Sequence, residues 1–403
     1  MSKPVIRPSR RILFAVLTPL LTIVILFLLL EIGLRIAGYD PLKPFRQEDG
    51  THQFYLRKSD DPHLRFELTP GFKGKIHIYQ NDIDIRINSA GWRGPEIDLP
   101  KGGRFRVALL GDSVTFAKEF DEDETFAGRL ERKLQEVRPD TDVLNLGVIG
   151  YDTLEEVIHF ERVARPYKPD VAVVCFCLND IANSPVIGSG RWAVLEPRLP
   201  ISMKSRAVLW LIRMINRAFA QERLQKEIKE ADAFEKLDDS MYGPITPDAF
   251  EREQFARIDE MQAAFDRFKG NKSEAVVDSG GKLWLTYYKI PKNLGKIDYS
   301  FRRLAADAEK DGIKVFAAVI PFFYRFDGHY LESPAHAIIN HMAELNGFQV
   351  IDLLSDMSPL KLETLTKDGV HLNAPGHERM ARSLFEAIRP LASKPAGSPA
   401  SAR

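Results

Sequence analysis

Residues that could carry chemistry occur at separate points of the chain. Ser113 lies in "RVALLGDSVTFAKEF", where an apolar run ends in glycine and a small acidic turn. Asp368 and His371 lie three residues apart in "DGVHLNAPGHERMA", just before a predicted helix. A serine nucleophile needs a base, and the base needs an acceptor that orients its ring. One turn can present both groups, so Asp368 would accept from one ring nitrogen of His371, and the other would take the proton of Ser113.

A serine that attacks a carbonyl also needs preorganised donors for the oxyanion. Gly150 in "NLGVIGYDT" can bring a bare backbone N–H close to a ligand, and Asn179 in "CLND" offers a side-chain amide. With the backbone N–H of Ser113 they form a predicted three-donor oxyanion hole. Asp112 and Asp180, each next to one of these residues, are interpreted as local turn or cap residues.

An alternation of strands and helices must position these groups. Five apolar runs predict strands: "FRVALLGD", "TDVLNLGVIGY", "PDVAVVCFCLND", "IKVFAAVIPFF" and "FQVIDLL". Helix-like stretches separate them, and the chain closes with a helix that begins at Pro375. Continuous apolar strands between amphipathic helices predict an α/β fold, a parallel sheet covered on both faces. In an open sheet of this kind the site lies at the carboxyl ends of the strands.

Four blocks in this order resemble the SGNH hydrolase superfamily, the GDSL-like esterases and lipases: "GDSV", "NLGVIGYDT", "CLND" and "DGVHLN". The resemblance implies a three-layer flavodoxin-like fold. It also implies the roles of five residues: the nucleophile Ser113, its partners Asp368 and His371, and the oxyanion donors Gly150 and Asn179. The blocks cover about residues 104–180 and 313–390.

Two further segments bear on this resemblance. The asparagine block usually begins with glycine, and here Cys177 stands at that place, which predicts a tighter space near the oxyanion. "NSAGWRGPE", from Asn88 to Glu96, resembles a segment that precedes the domain in membrane-anchored bacterial members. The sequence assigns no role to it.

The stretch from Ile12 to Leu30 contains no charged residue and is long enough to cross a bilayer at about 1.5 Å per residue. It predicts a transmembrane helix, with a buried core helix and a cleaved signal peptide as alternatives. The positive charges that precede it are Lys3, Arg7, Arg10 and Arg11. Only Arg35 follows closely, so the N-terminus is predicted in the cytoplasm and the rest outside it, in the periplasm of a Gram-negative cell.

The strand and helix pattern divides the chain into parts. We expect a cytoplasmic stub and anchor over 1–38, a small β-rich annex over 39–103, a hydrolase domain over 104–392 and a disordered tail over 393–403. A helical insertion at about 184–295 interrupts the hydrolase domain.

The insertion leaves the core directly after the strand that delivers Asn179. Trp192, and the apolar face around Trp210 and Leu211, are therefore placed to line the acyl or sugar pocket. The alternative is that the insertion is a helical cap whose aromatic residues pack on the core.

Composition excludes several classes of function. Lysine plus arginine equals aspartate plus glutamate at 56 each, without a long basic run, so no nucleic acid partner is expected. Cys175 and Cys177 are two apart on one strand, which suits neither a disulfide nor a zinc or redox site. His377 follows His371 but lacks acidic or cysteine partners for a metal. We predict no metal and no cofactor.

These observations predict a membrane-anchored, extracytoplasmic serine esterase that forms an acyl-enzyme at Ser113. Its substrate would be an O-acyl ester, an O-acetyl ester foremost, on a glycan such as a cell-envelope polysaccharide. One alternative is an O-acyltransferase that modifies an exported polysaccharide, since the same residues serve both reactions. The other is a non-catalytic scaffold of an envelope assembly.

Overall fold

The computed structural model describes residues 8–39, 55–78, 81–181, 205–208, 210, 214, 240–267, 283–325 and 329–393. The chain divides into two compact units. The first contains the N-terminal helix together with residues around 205–214, and the second contains all the other described residues.

The first unit is built on helix α1, Pro8–Ile36. Within the described residues, Leu17–Ile36 is the stretch long and apolar enough to cross a membrane, and a signal sequence near an N-terminus has the same properties. Near its end, Glu31 accepts hydrogen bonds from Ser205 Oγ at 2.9 Å and from the N–H of Ala207 at 2.7 Å. The apolar helix expected from the sequence is therefore present, whereas its orientation stays a prediction.

The second unit begins with two small antiparallel hairpins. Strand β1, Leu56–Lys58, pairs with β2, Phe66–Leu68, and β3, Lys73–Ile78, pairs with β4, Asn81–Arg86. Their apolar side chains form a cluster that also includes residues after the first two strands of the main sheet, such as Phe116. The β-rich character expected for this region is present, and the four-part division of the chain stays a prediction.

The main sheet has five parallel strands. They are β5 (Phe105–Gly111), β6 (Thr141–Asn145), β7 (Val171–Cys177), β8 (Lys314–Ile320) and β9 (Gln349–Ile351). The spatial order is β6-β5-β7-β8-β9, which is the 2-1-3-4-5 order of flavodoxin-like folds. Each strand falls in one of the five predicted apolar runs, so the predicted fold class is confirmed.

Helices cover both faces of this sheet. They are α2 (Ser113–Phe116), α3 (Phe126–Val137), α4 (Thr153–His159), α5 (Ala249–Arg267), α6 (Pro291–Asp311), α7 (Ser333–Leu345), α8 (Leu353–Met357) and α9 (Ala374–Ala392). Helices α3 and α9 pack together on one face, and α4, α6 and α7 lie on the other. Short 3-10 turns occur at Glu122–Glu124, Arg165–Tyr167, Leu178–Ile181, Trp284–Lys289 and Leu362–Leu365, and a π-helical turn at Phe160–Ala164. The chain therefore has the three layers that the sequence predicted.

Local sequence accounts for the helix ends nearest the predicted site. Asp152 caps α4 by accepting from the N–H groups of Leu154 and Glu155. Asn373 caps α9 by accepting from the N–H of Gly376, with Pro375 in the first turn. These caps fix where the loops after β6 and before α9 end, and both loops contain predicted site residues.

Two expectations fall partly outside the described residues. Of the predicted insertion at 184–295, the described part includes α5, which is helical as expected. Residues 394–403 of the predicted tail lie outside the described residues.

Candidate active site

Ser113 lies where β5 ends and begins the one-turn helix α2. Asp112 caps this helix, because its Oδ1 accepts from the N–H of Val114 at 2.8 Å. Gly111 has no room for a side chain, since a Cβ there would lie 2.1 Å from Oγ1 of Thr115. The turn is thus tight enough to present the serine hydroxyl at the carboxyl edge of the sheet.

The loop before α9 brings Asp368 and His371 to this serine. Nε2 of His371 lies 3.0 Å from Oγ of Ser113, and Nδ1 of His371 lies 2.7 Å from Oδ2 of Asp368. The other oxygen of Asp368 accepts from the N–H groups of Val370 and His371. With an ionised Asp368 as acceptor, Nδ1 carries the proton of the neutral ring and Nε2 is free to accept from Ser113.

The charges around this loop act on both titratable groups. Burial lowers the pKa of His371, but the Asp368 hydrogen bond and the negative charges of Glu119, Asp368 and Asp112 outweigh it, so that its pKa is raised. Burial raises the pKa of Asp368, but its hydrogen bond to His371 and the charge of that residue hold it well below the usual range. The pair therefore favours an ionised aspartate beside a histidine that binds protons more readily than usual.

Asn179 is held beside the serine by Asp112. Nδ2 of Asn179 donates to Oδ2 of Asp112 at 3.3 Å, and the Ser113 hydroxyl also lies 3.3 Å from that oxygen. The amide has a second N–H, which stays available for a ligand. Asp180 accepts from the N–H of Cys177 at 2.6 Å, the local capping contact that the sequence suggested. Oδ2 of Asp112 therefore lies within 3.3 Å of both the Asn179 amide and the Ser113 hydroxyl, which places Asn179 beside the serine.

Gly150 lies in the loop between β6 and α4 with φ of +76°, a conformation that favours glycine. Its carbonyl accepts from Nη2 of Arg65 at 2.6 Å, and Arg65 also pairs with Glu155. Further back, the N–H of Val148 donates to the carbonyl of Gly111 at 3.0 Å, which ties this loop to the end of β5. Among the hydrogen bonds of the described residues, the backbone N–H groups of Ser113 and Gly150 have no acceptor.

The site opens to the surface. The side chain of His371 is 24% exposed and that of Asp368 is 42% exposed. Trp192, the predicted pocket residue, lies outside the described residues, and so does Leu211.

Within the described ranges, no group of three or more His, Cys, Asp or Glu side chains could hold a metal ion. His377 is buried, and its Nδ1 accepts from the N–H of Phe126 at 3.1 Å. Cys175 and Cys177 are free, buried thiols, and burial raises the pKa of both. These groups have packing roles in the structure.

Sequence reasoning did not find three charged residues that contact or face the site. Arg65 and Glu119 stand in no pattern that singles them out. Arg93 lies inside "NSAGWRGPE", a segment that the resemblance identified without giving it a role.

Residues 109–295 match the model of the GDSL-like Lipase/Acylhydrolase family. The chain contains a GDSL-like lipase/acylhydrolase domain. It is an enzyme that acts on ester bonds. The match covers the serine, glycine and asparagine blocks and ends before the loop of Asp368 and His371, which the fold brings back to Ser113.

Several solved structures match this chain at low identity. They include the acetyl xylan esterase AlAXEase, at 14% identity and a TM-score of 0.38 over 70% of this chain and 100% of that one. TesA matches at 12% identity and a TM-score of 0.38, over 71% of this chain and 99% of that one. The Enterococcus faecalis lipase/acylhydrolase matches at 15% identity and a TM-score of 0.36, over 73% of this chain and 100% of that one. These values are too low to carry an argument about activity. No curated protein sequence matches the chain at a significant level.

Proposed function

We propose that this GDSL-like enzyme is a membrane-anchored, extracytoplasmic serine esterase that removes an acyl group, foremost acetyl, from an O-acylated glycan. The observation that carries the proposal is the chain of contacts from Ser113 through His371 to Asp368, with distances of 3.0 Å and 2.7 Å. Nucleophile, base and orienting carboxylate are thereby in hydrogen-bond reach of one another.

In the acylation step, Oγ of Ser113 attacks the ester carbonyl while Nε2 of His371 takes its proton. Asp368 orients the ring and stabilises the imidazolium that forms. The N–H groups of Ser113 and Gly150 and the amide of Asn179 donate to the oxyanion. The C–O bond to the alcohol then breaks, His371 returns the proton to the leaving alkoxide oxygen, and the acyl group stays on Ser113.

In the deacylation step, water takes the place of the released alcohol. His371 accepts a proton from the water as its oxygen attacks the acyl carbon, and the same donors stabilise the second tetrahedral intermediate. The bond to Oγ of Ser113 breaks, the serine recovers its proton from His371, and the free acid leaves. The cycle consumes one ester and one water and restores the enzyme.

Two features support a glycan-borne ester as the substrate. The exposed fractions of His371 and Asp368 describe a site that a group on a large polymer can reach. The apolar helix α1 would hold the enzyme at a membrane, where envelope polysaccharides pass or reside.

The experiment that tests the proposal uses the full-length chain in detergent. Acetyl and longer acyl esters are compared with an O-acetylated polysaccharide, with and without an added sugar acceptor, and Ser113→Ala is the control. Release of free acetate that depends on Ser113 and not on an acceptor is expected. Product formed only when an acceptor is added would show a transferase instead, and turnover that survives Ser113→Ala would contradict the proposal.

Orientation is tested separately. Because positive charge concentrates before the span, a reporter that is active only outside the cytoplasm should be active when fused after Arg403. An inactive fusion, together with an active cytoplasmic reporter at the same place, would reverse the proposed location.

A further inference from the structure

The segment from Asn88 to Glu96, "NSAGWRGPE", forms a turn that is bridged to β6 through Arg93 and Asn145. Oδ1 of Asn88 accepts from the N–H groups of Ala90, Gly91 and Trp92, and its Nδ2 donates to the carbonyl of Pro95. One side-chain amide therefore makes hydrogen bonds to four backbone groups of the turn. The turn delivers the next residue, Arg93, into the interior.

Arg93 is 1% exposed and reaches the chain just after the predicted nucleophile. Its Nη1 donates to the carbonyls of Phe116 and Ala117 at 2.6 and 2.7 Å, and its Nη2 donates to the carbonyl of Phe120. Burial lowers the pKa of Arg93 to about 10, against the negative charges near it, so the guanidinium remains charged at neutral pH. A buried cation is costly unless its contacts compensate it, and here those contacts are backbone carbonyls next to α2.

The carbonyls that Arg93 caps belong to a turn that needs support. Helix α2 has only four residues, and an isolated helix of that length does not form. Ala117, which follows the last residue of the helix, has φ of 53° and ψ of 54°, a left-handed conformation that costs energy for a residue with a Cβ.

The end of α2 is held from both sides. Nδ2 of Asn145 donates to the carbonyl of Thr115 at 3.0 Å, so Asn145 and Arg93 together satisfy three successive carbonyls, those of residues 115–117. A bridge between the backbones of Arg93 and Asn145 joins the two supports.

We propose that Arg93 is a positioning residue of the ester-cleaving reaction, holding the left-handed turn after α2 so that the Ser113 hydroxyl stays aligned with His371. This inference rests on the proposed role of Ser113 as nucleophile. It gives the segment Asn88–Glu96 a function, which is to deliver one buried guanidinium to the turn behind the nucleophile.

The test measures kcat and KM of the full-length chain in detergent, at a temperature well below the unfolding midpoint of every variant. Arg93→Met should lower kcat about 100-fold with KM unchanged, because a small misplacement of a reacting group has an effect of that size. The rate of covalent labelling of Ser113 by a fluorophosphonate should fall in parallel. Arg93→Lys keeps the charge without the planar guanidinium, so its kcat should lie between those of the native enzyme and Arg93→Met.

Arg106 provides the matched control. It is also fully buried and donates to two backbone carbonyls, those of Tyr167 and Asp98, as well as to the carboxylate of Asp142, but it lies near the start of β5, away from Ser113. Arg106→Met should lower the unfolding midpoint and leave kcat of the folded enzyme unchanged. A loss of kcat in Arg93→Met no greater than in Arg106→Met would overturn the inference.

Ala117→Gly provides a rescue that a merely structural role would not produce. Glycine adopts the left-handed conformation without strain, so the turn needs less support from Arg93. In the Arg93→Met background, Ala117→Gly should raise kcat about tenfold, and in the native background it should change little. Equal effects in both backgrounds would contradict the inference.

Two safeguards keep the result interpretable. Should Arg93→Met fail to fold, the same comparisons are made with Arg93→Lys. The dependence of turnover on Ser113 is measured first, because turnover that does not depend on Ser113 would contradict the proposed function. Turnover that depends on Ser113 but is unchanged by substitution of Arg93 would overturn this inference alone.

Discussion

His371 has both ring nitrogens engaged, with Asp368 on Nδ1 and Ser113 on Nε2. Three carboxylates act on it, because Glu119 and Asp112 add their negative charge to that of Asp368. Only Asp368 was foreseen from the sequence. A spacing of three residues within one loop can be recognised in a sequence, whereas a charged residue that the fold places nearby from another loop cannot.

The first prediction concerns the Ser113 and His371 pair. If they act as one unit, Ser113→Ala and His371→Ala should each remove most of the turnover, and the double variant should be little worse than either. Steady-state kinetics of the three variants measures this. Ser300→Ala removes a buried hydroxyl that bonds only within its own helix, and should keep activity. Additive losses would show that the two residues do not share one step.

The second prediction concerns Glu119, whose side chain is almost fully buried. His371 must lose its proton to act as a base, so kcat/KM should rise with pH through its raised pKa. Glu119→Gln removes a negative charge that favours the protonated ring, so the acid limb of the pH profile should move to lower pH. Glu124→Gln, an exposed residue of the neighbouring turn, is the control. An acid limb that stays in place or moves to higher pH in Glu119→Gln would contradict this electrostatic account.

At the scale of elements, the site depends on close contact between the loop after β6 and helix α2. Gly147 in that loop lies against the backbone of α2, where a Cβ would be 2.2 Å from the N of Phe116. Its N–H donates to Oδ1 of Asn145, the residue whose amide caps Thr115. The loop and the nucleophile helix therefore cannot move independently.

The third prediction follows from this contact. Gly147→Ala forces backbone to shift, so it should cost about 1 to 3 kcal/mol of stability and lower kcat as well. Denaturant unfolding and kinetics measure the two effects. Gly103→Ala is the matched control, because nothing lies within 4 Å of a Cβ added at that position. It should change neither the stability nor kcat. Unchanged kcat in a folded Gly147→Ala enzyme would mean that the contact does not position the serine.

The strands of the sheet could be predicted from the sequence, whereas the residues that hold the site in place could be predicted only in part. The five strands were predictable because β5 and β7 are buried along their whole length and read as continuous apolar runs. The contact of Arg65 with Gly150 joins residues 85 apart, and that of Arg93 with Ala117 joins residues 24 apart. No periodicity encodes such pairs, since each depends on how the hairpins pack against the sheet.

At the scale of the whole molecule, carboxyl groups are buried without full partners. Both oxygens of Glu156, Oδ1 of Asp180 and Oε2 of Glu332 have no hydrogen-bond partner among the described residues. Burial raises the pKa of all three side chains, that of Glu332 to about 8. At neutral pH the folded enzyme therefore holds a proton on Glu332 that its unfolded chain would release.

The fourth prediction uses Glu332. Between its ordinary pKa of 4.5 and about 8, the folded state binds the proton and the unfolded state does not. Stability should therefore fall as pH rises through this window, by up to about 1.4 kcal/mol per pH unit for one group. Glu332→Gln stays neutral, so its free energy of unfolding should decline less between about pH 5 and pH 8.

The control for this measurement is Glu344→Gln, an exposed residue of helix α7, which begins directly after Glu332, and it should keep the native pH dependence. Parallel profiles of unfolding free energy for Glu332→Gln and the native chain would show that Glu332 does not bind the extra proton.

The central claim, that Ser113 is the nucleophile, is tested most directly by locating the covalent adduct. The full-length enzyme is incubated with a fluorophosphonate and, separately, with an activated acetyl ester quenched in acid, and the modified peptide is sequenced by mass spectrometry. The account predicts a single modified residue, Ser113, in both cases, no adduct in Ser113→Ala, and slow labelling in His371→Ala. An adduct on another residue, or hydrolysis of the acetyl ester by Ser113→Ala at the native rate, would contradict it.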